Sequence, residues 1–517
     1  MGSTLAATAP GIPGRPAWYR DRFALGVAGA FCLLNVLTVA NHAMWRDEWG
    51  VFLTGRYVTS WAELIAEVRR NGHPLFWFLC SWLLNSLPGY PWPLKILHIL
   101  MSTGAVFLMT RWMPLTRWQR VLLAFGYFPL YEYGTILRNY APALLAMVIA
   151  AVVFTLPRRR PVLFGVVLAA AAQVSLFNVA IGLPLAVAYG FDTWRSVRKA
   201  GGKMPASGLI LGGAIALAGM VLTALEVRPP VDLSITHTPF LGETPEWLRH
   251  AASSVWRGYV PFRLIGLWNI NFLDMFPRVQ VFLSYAILAC VSLFLARRPT
   301  ALLFYLLGTA GVILLCAYLG EASHARHHGQ TFVVFLLSLW LAGRTDESEG
   351  PPFLRRWTPR TWARWQGMFV TAILGLQVLA AALAVFDEQV QPFSGSAKAA
   401  EIIRRQSPPD LPIIADTDYA ASSVAGCLDR PIFIACRGEY ATFLKQDVRR
   451  SLDPLPEDEL FQRVKEFQRT QQRDVLLVVN YSIQSPETAP MLLGIAHPAI
   501  VTDERFEVYR IPYVAAP

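Results

Sequence analysis

The amino-acid sequence predicts a mostly α-helical protein in which a polytopic transmembrane bundle of about eleven spans is followed by a small α/β domain. Of the 517 residues, 54% are hydrophobic and only 16% are charged, whereas soluble globular proteins carry about 25% charged residues. The hydrophobic residues form long runs separated by short polar stretches, which is typical of a chain that crosses a membrane repeatedly.

The basic residues indicate membrane topology and not a nucleic-acid partner. The net charge is +11, but the basic side chains occur in short clusters between apolar runs, as at residues 158–160 and 195–203. Cytoplasmic loops of membrane proteins carry such clusters, and no basic stripe with interleaved aromatic residues occurs. We therefore expect a multi-pass protein of the plasma (inner) membrane that contacts membrane lipid and binds no nucleic acid.

Eleven apolar runs are predicted to be spans, although several are shorter than the roughly 20 residues of a full crossing. They are Phe23–Ala40, Leu94–Met109, Val121–Leu137, Ala141–Leu156, Val162–Val174, Phe177–Tyr189, Leu209–Leu225, Val281–Ala296, Ala301–Leu319, Thr331–Ala342 and Met368–Phe386. Alternatively, residues 162–189 form one long span. Residues 74–87 are apolar but few, and a proline-rich stretch follows them, so we expect a re-entrant or surface-lying segment there.

The basic residues also orient the spans. Arg15, Arg20 and Arg22 precede the first run, which has no cleavage site, so it is expected to be a retained span with a cytoplasmic N-terminus. The basic loops then lie in the cytoplasm. Three polar stretches lie together on the extracytoplasmic side, and these are residues 41–73, 228–280 and 320–329.

The chain is expected to divide into a transmembrane module, residues 1–386, and a soluble extracytoplasmic α/β domain, residues 387–517. Short apolar runs in the second part predict buried strands, and amphipathic stretches between them predict helices. The strands are expected at Leu411–Ala415, Pro431–Ala435 and Asp474–Val479, the helices at Ala397–Arg405 and Glu457–Gln468, and an edge strand at Phe506–Ile511.

The first extracytoplasmic loop opens with two adjacent carboxylates, Asp47 and Glu48, between Trp45 and Trp49. Ionisable groups buried at a membrane interface are paired or functional, and a carboxylate in a partly desolvated cleft can act as a general base toward a hydroxyl group. A solvated loop with interfacial aromatic residues is the alternative interpretation.

Two further motifs place candidate ligands near the same surface. His73 lies at the end of the first outside loop, between Gly72 and Pro74, which predict a sharp turn. Its imidazole can coordinate a metal ion, hydrogen-bond a phosphate or donate a proton. Arg138 lies between two apolar runs, where a guanidinium is costly unless it meets an anion such as a phosphate. The alternatives are a structural interfacial histidine and an arginine that reaches toward lipid headgroups.

The order of these features resembles the GT-C glycosyltransferases, within them most nearly the branch of the protein O-mannosyltransferases and the lipid A aminoarabinose transferases. The resemblance covers roughly residues 23–156, where a span, Asp-Glu, a helical stretch, His-Pro-Leu and an aromatic turn with Arg-Asn-Tyr follow one another. The chain departs from the branch at Leu75, where a second proline is usual. It also lacks the fuller Arg-Glu-Ala-Arg form before Tyr140.

The resemblance implies roles for particular residues. Asp47 would be the catalytic base, and Glu48 would support it or orient the acceptor. Arg138 and Tyr140 would line the site of the donor phosphate, and Lys95 would be a second phosphate ligand at the start of a span.

Residues 320–329 hold His324, Arg326, His327 and His328 in one short outside loop. A metal site is conceivable because His324 and His328 are spaced to share one helix face, but no carboxylate lies between them and we favour no metal. Arg326 with His327 or His328 is expected to grip the phosphate of a lipid or a sugar hydroxyl. Residues 228–280 contain three tryptophans that either stack under a sugar ring in a binding site or are interfacial aromatic residues. They are Trp247, Trp256 and Trp268.

Cys427 and Cys436 are a candidate disulfide, provided that their Cα atoms lie within about 7 Å. The other four cysteines lie in apolar runs and are expected to be small core residues.

Together these features predict a membrane glycosyltransferase that moves a sugar from a polyprenyl-phosphate donor to a glycan, lipid or protein acceptor, with inversion and without a required cofactor. A flippase for lipid-linked saccharides and a protein like the O-antigen polymerases or ligases are the alternatives. A transporter would be expected to show repeated halves with ionisable groups at mid-span, and no repeat is visible in the sequence.

Overall fold

The computed structural model describes residues 18–228, 230, 252–318, 324–348, 350, 358–447, 453–485 and 491–514. It consists of a large helical bundle and a six-stranded sheet near the C-terminus. Seven of its helices are long and apolar enough to cross a membrane, and shorter apolar helices accompany them. The predicted fold class, a polytopic helical membrane protein with a C-terminal sheet, is confirmed.

The helices of the described residues have the following bounds: α1 Arg22–Asn41, α2 Arg46–Tyr57, α3 Trp61–Asn71, α4 Leu75–Leu84, α5 Trp92–Trp112, α6 Arg117–Ala124, α7 Tyr140–Phe154, α8 Pro161–Ala172, α9 Leu176–Ala200, α10 Ala206–Glu226, α11 Ser254–Tyr259, α12 Pro277–Leu295, α13 Pro299–Tyr318, α14 Ala325–Ala342, α15 Pro359–Val390, α16 Ser396–Gln406, α17 Asp418–Leu428 and α18 Glu457–Gln471. The seven long apolar helices are α1, α5, α9, α10, α12, α13 and α15. Residues 162–189 thus belong to two helices, α8 and α9, and not to one long span.

One predicted span, Val121–Leu137, is not a continuous helix. The helix α6 ends at Ala124, a π-helical turn covers Tyr127–Glu132, and an irregular turn follows. Pro129 interrupts the helical hydrogen bonds, and a Cβ at Gly134 would overlap the carbonyl oxygens of residues 129 and 130. Residues 126–137 are all buried, and the broken segment brings residue 138 to the ends of the neighbouring helices.

The C-terminal sheet has the strand order β3-β2-β1-β4-β6-β5. Its strands are β1 Ile413–Ala415, β2 Ile432–Ile434, β3 Glu439–Ala441, β4 Val475–Val479, β5 Leu492–Ala496 and β6 Phe506–Ile511. The central strands β2, β1 and β4 are parallel, and the outer pairings are antiparallel. The prediction of an edge strand at Phe506–Ile511 is wrong, because β5 covers the free side of β6.

The bundle and the sheet domain share a hydrophobic core. The long helix α15 ends at Val390, close to the predicted boundary. Beyond it, Phe393, Ile500 and Val501 are buried in the cluster that also contains the aromatic residues of the bundle. The C-terminal domain therefore packs directly on the helix ends where the candidate site residues lie.

Candidate active site

Helix α2 begins at Arg46 and places the two predicted carboxylates in its first turn. Glu48 folds back to accept a hydrogen bond from the backbone N–H of Trp45 at 3.0 Å, which stabilises the start of the helix. Because successive residues of a helix point about 100° apart, Asp47 and Glu48 face different surroundings. Asp47 faces a cavity, whereas Glu48 is fully buried behind the cavity wall.

The carboxylate of Asp47 and the guanidinium of Arg138 meet directly. Arg138 Nη1 lies 2.8 Å from Asp47 Oδ2, and Arg326 Nη2 lies 3.7 Å from the same oxygen. Both arginine side chains are 8% exposed, whereas the side chain of Asp47 is 28% exposed and therefore accessible from the cavity. Two residues from distant parts of the chain thus surround one reachable carboxylate.

The electrostatic state of Asp47 follows from these neighbours. Burial alone would raise its pKa, but Arg138, Arg326 and Arg46 lower the pKa of Asp47 to about 2. Asp47 is therefore ionised at neutral pH in this state, as a general base must be. Its basicity is low as long as both arginines remain directed at it.

His73 contacts the other side of Arg138, and the predicted sharp turn places it there. Gly72 ends α3 in the left-handed conformation with φ +65°, and α4 begins directly after Pro74. Arg138 Nη2 lies 3.1 Å from His73 Nε2. Burial and the charge of Arg138 lower the pKa of His73 to about 3, so the neutral ring accepts this hydrogen bond and does not carry a charge.

Tyr140 and His327 form an aromatic wall of the same cavity. Tyr140 stacks on Tyr133 with ring centroids 5.3 Å apart, and its ring lies 6.3 Å from that of His327. The Tyr133 hydroxyl donates to the backbone oxygen of Arg326 at 2.9 Å. This wall therefore also fixes the start of α14, which carries Arg326.

Arg326 lies between two indole rings. Its guanidinium carbon is 5.5 Å from the centroid of Trp45 and 5.3 Å from that of Trp268. Cations over aromatic faces are stabilised by the ring quadrupole, which holds the guanidinium at the cavity surface. Trp268, one of the three tryptophans considered for a sugar site, lines the cavity; Trp256 does not, and Trp247 lies outside the described residues.

Glu48 connects the start of α2 to the segment that carries Arg138, on the buried side of the cavity wall. Its carboxylate accepts from the backbone N–H of Leu137, the residue before Arg138, and from His42 Nε2 at 2.9 Å. The other ring nitrogen of His42 lies 3.1 Å from Glu388 of α15. Of its two predicted roles, this placement favours support of the site over contact with an acceptor, because Glu48 does not line the cavity.

The charge of His42 should make the stability of the protein depend on pH. Burial alone would lower its pKa, but Glu48 and Glu388 raise the pKa of His42 to about 10, against about 6.5 in an unfolded chain. The folded state therefore keeps the proton on His42 to a higher pH than the unfolded chain does. The resulting stabilisation is complete below about pH 6.5 and is lost as the pH rises through about 10.

We expect His42→Gln to lower the melting temperature at pH 6.5 and to flatten its decline between pH 6.5 and 10. Thermal unfolding of the purified protein in detergent across this range measures the effect. Melting curves of the variant and the wild type that decline in parallel would contradict a charged His42.

Two predicted ligands lie away from the cavity. Lys95 is buried on α5, with its ammonium 5.2 Å from the centroid of Trp92, and its charge interacts with Glu48 behind the cavity wall. His328 contacts Ser254 at 2.9 Å and Arg257 at 3.1 Å in α11. The phosphate role of both residues is therefore not supported, because Lys95 lies against Trp92 of its own helix, His328 faces α11, and neither residue lines the cavity.

The candidate disulfide is not formed. Among the described residues, Cys427 and Cys436 both have free thiols, and Cys427 Sγ lies 3.6 Å from the Ser396 hydroxyl. Cys427 lies in the last turn of α17, while Cys436 follows β2 and lies beside Asp418. The strand between them carries the second cysteine away from the first.

The cavity has a volume of about 640 Å³, within the range of pockets that enclose small organic ligands. Five arginines and two aspartates are the charged residues among its described lining residues, so the lining is positive. The arginines are Arg46, Arg69, Arg70, Arg138 and Arg326, and the aspartates are Asp47 and Asp503. Across the described part of the chain, no three His, Cys, Asp or Glu side chains converge to hold a metal ion.

The C-terminal domain supplies part of the cavity wall, which the sequence did not indicate. Residues 500–503, Leu444 and Gln446 line it. No local pattern marks these residues, because they reach the cavity only through the docking of the domain. Arg46 and Asn139, in contrast, adjoin predicted site residues and could have been included on that ground.

No protein-family model and no curated protein matches the sequence. Solved structures similar to the chain include two of ArnT from Cupriavidus metallidurans. In the structure bound to undecaprenyl phosphate, the match covers 96% of this chain and 100% of ArnT, at 15% identity and a TM-score of 0.45. In the apo state it covers 94% and 98%, at 14% identity and a TM-score of 0.47.

Proposed function

We propose that this protein is a membrane glycosyltransferase that transfers a sugar from a polyprenyl-phosphate donor to an acceptor hydroxyl on the extracytoplasmic face. One observation carries the proposal: the reachable carboxylate of Asp47 and the guanidinium groups of Arg138 and Arg326 meet in one aromatic-walled cavity. That set contains a proton acceptor, an anion site and a surface against which a sugar ring can pack.

The positive groups suit the leaving group of this reaction. A polyprenyl-phosphate sugar carries one negative charge on its phosphodiester, and the polyprenyl phosphate that leaves carries up to two. Arg138 and Arg326 therefore bind the phosphate more strongly as the bond to the sugar breaks. Interactions that strengthen toward the transition state accelerate the chemical step.

Asp47 is suited to take the proton of the acceptor. The acceptor oxygen attacks the anomeric carbon from the face opposite the phosphate, the bond from carbon to phosphate oxygen breaks, and the anomeric configuration inverts. As the two arginines turn toward the phosphate, they neutralise Asp47 less, and its carboxylate becomes a stronger base. The same cations thus serve the donor and keep Asp47 ionised before the donor arrives.

The remaining residues orient these groups. His73 hydrogen-bonds Arg138 from one side, and Glu48 holds the backbone before Arg138 from the other. Trp45 and Trp268 flank Arg326 and hold its guanidinium at the cavity surface. Arg138 and Arg326 are therefore held in place before a substrate enters, which reduces the entropic cost of orienting them in the reaction.

A transfer assay with purified protein tests the proposal. Radiolabelled polyprenyl-phosphate hexoses and pentoses are incubated with the protein and with membrane extract as the acceptor source, and we expect label in the acceptor and free polyprenyl phosphate in equal amounts. In proteoliposomes, movement of intact donor between leaflets without cleavage would instead indicate a flippase. Transfer only from polyprenyl-diphosphate-linked glycans would indicate a polymerase or ligase.

A further inference from the structure

The C-terminal domain contacts the first residue of the helix that carries Asp47. The backbone N–H of Arg46 donates to Glu504 Oε1 at 2.8 Å, and its guanidinium lies 2.7 Å from Asp503 and 3.6 Å from Glu504. The same guanidinium lies over the ring of Tyr419, 5.1 Å from its centroid. Three residues of the C-terminal domain therefore hold the residue that precedes Asp47.

Glu504 is buried and hydrogen-bonded through both carboxylate oxygens and its backbone oxygen. It is fully buried, and its second carboxylate oxygen accepts from the Ser394 hydroxyl at 2.5 Å. Its own backbone oxygen accepts from Gly395 N at 2.9 Å. Burial raises the pKa of Glu504 to about 7, against the opposing effect of Arg46. A buried carboxylate is costly unless it is hydrogen-bonded and paired, and here the start of α2 supplies both interactions.

The start of α2 needs such a partner. The first N–H groups of a helix have no acceptor within the helix, and the side chain of Trp45, which precedes α2, makes no capping hydrogen bond. Glu504 supplies the missing acceptor, and in its ionised form it places a negative charge at the positive end of the helix, where such a charge is stabilising. The first turn of α2 is therefore fixed by a residue 458 positions away.

We propose that Glu504 is a positioning residue for Asp47, so that the C-terminal domain is an integral part of the active site. Asp47 directly follows Arg46, and any rotation or fraying of the first turn moves its carboxylate. A displacement of about 1 Å in a reacting group can cost about 10²-fold in rate. The domain thus sets the position of the base while its residues 500–503 form the adjacent cavity wall.

This inference rests on the proposed function, and Glu504→Gln tests it. The glutamine keeps the size of the side chain but offers one acceptor oxygen where Glu504 uses two, and it removes the charge. We expect kcat for sugar transfer to fall about 10- to 100-fold, while KM for the polyprenyl-phosphate sugar stays within about threefold, because Arg138 and Arg326 are untouched.

The matched control is Asp429→Asn. Asp429 also belongs to the C-terminal domain and also pairs with α2, since its carboxylate lies 2.7 Å from Arg56 near the far end of the helix. This exposed pair is distant from Asp47 along the helix, so we expect less than a threefold change in kcat. An equal loss in both variants would show that general domain docking, and not the start of α2, governs the rate, and would overturn the proposal.

A double variant separates positioning from other effects. If Glu504 acts through Asp47, Glu504→Gln should cause no further loss in an Asp47→Asn background, because residues that act as a unit are not additive. A full additional loss would overturn the proposal. Should Glu504→Gln not yield folded protein by gel filtration, Ser394→Ala, which removes one hydrogen bond from Glu504, should lower kcat about 3- to 10-fold at constant KM. Wild-type kcat in that variant would then overturn it.

The two proposals fail in distinguishable ways. Full activity of Asp47→Asn would refute Asp47 as the base, and with it the reaction scheme. An inactive Asp47→Asn variant together with a fully active Glu504→Gln variant would leave the proposed function standing and would remove only the positioning role.

Discussion

Asp47→Asn is expected to reduce kcat for sugar transfer by about 10²- to 10⁴-fold, the range in which general bases contribute. Asparagine has the shape of aspartate but does not accept the proton of an acceptor hydroxyl at neutral pH. The donor should bind more tightly, because the Asp47 carboxylate, which lies 2.8 Å from Arg138 and 3.7 Å from Arg326, no longer competes with the phosphate for these arginines. Initial rates over a range of donor concentrations, with a separate measurement of donor binding, give both quantities.

The comparison variant is Asp503→Asn. Asp503 is the second carboxylate among the described lining residues of the cavity, but it pairs with Arg46 and is contributed by the C-terminal domain. Asp503→Asn should lower kcat less than tenfold, because Glu504 still holds the start of α2. A severe loss in Asp503→Asn together with wild-type activity in Asp47→Asn would move the base to Asp503.

The sequence was sufficient to predict the parts of the fold that hydrophobicity determines. Apolar length indicated the seven long apolar helices of the described residues, and charge at the span ends singled out Asp47, Arg138 and Arg326, because a charge there is costly unless it is paired or functional. Their convergence was expected from shared sidedness alone. The structure adds that they lie within ion-pair distance and that His73 joins them.

Where a side chain points depends on rotations that a sequence pattern does not specify. Lys95 occupies the predicted place at the start of a span, but its side chain turns toward Glu48 and Trp92. His324 and His328 have helical spacing, yet α14 begins after His324, and the side chain of His328 contacts Ser254 and Arg257 of α11. A difference of about 100° per residue decides whether a side chain reaches a cavity.

The contribution of the C-terminal domain could not have been predicted from local patterns. Glu504 lies in a turn before β6 with no motif around it, and its partner Arg46 is at the other end of the chain. The break in the segment 121–137, in contrast, had a visible signal. Gly126, Pro129 and Gly134 interrupt that apolar run, and such residues indicate a kink or turn.

Arg138→Ala is expected to reduce kcat/KM for the donor by about 10²- to 10³-fold, the loss that follows removal of one preorganised group facing a developing negative charge. Arg138 is the cation closest to Asp47, and it also binds His73. Its removal leaves Arg326 as the nearest guanidinium to Asp47, at 3.7 Å. Both donor binding and stabilisation of the leaving phosphate should therefore weaken, in contrast to Asp47→Asn, in which kcat falls while donor binding tightens.

Two further measurements distinguish a phosphate ligand from a residue that only shapes the cavity. Arg138→Lys keeps the charge but not the planar group that contacts Asp47 and His73 together, so it should recover only part of the loss. Free guanidinium at millimolar concentration should partly restore transfer in Arg138→Ala, because the truncated side chain leaves space at the charged end. If donor dependence were unchanged in Arg138→Ala, or if Arg138→Lys and Arg138→Ala were equally active, the cation at this position would not be the one that holds the phosphate.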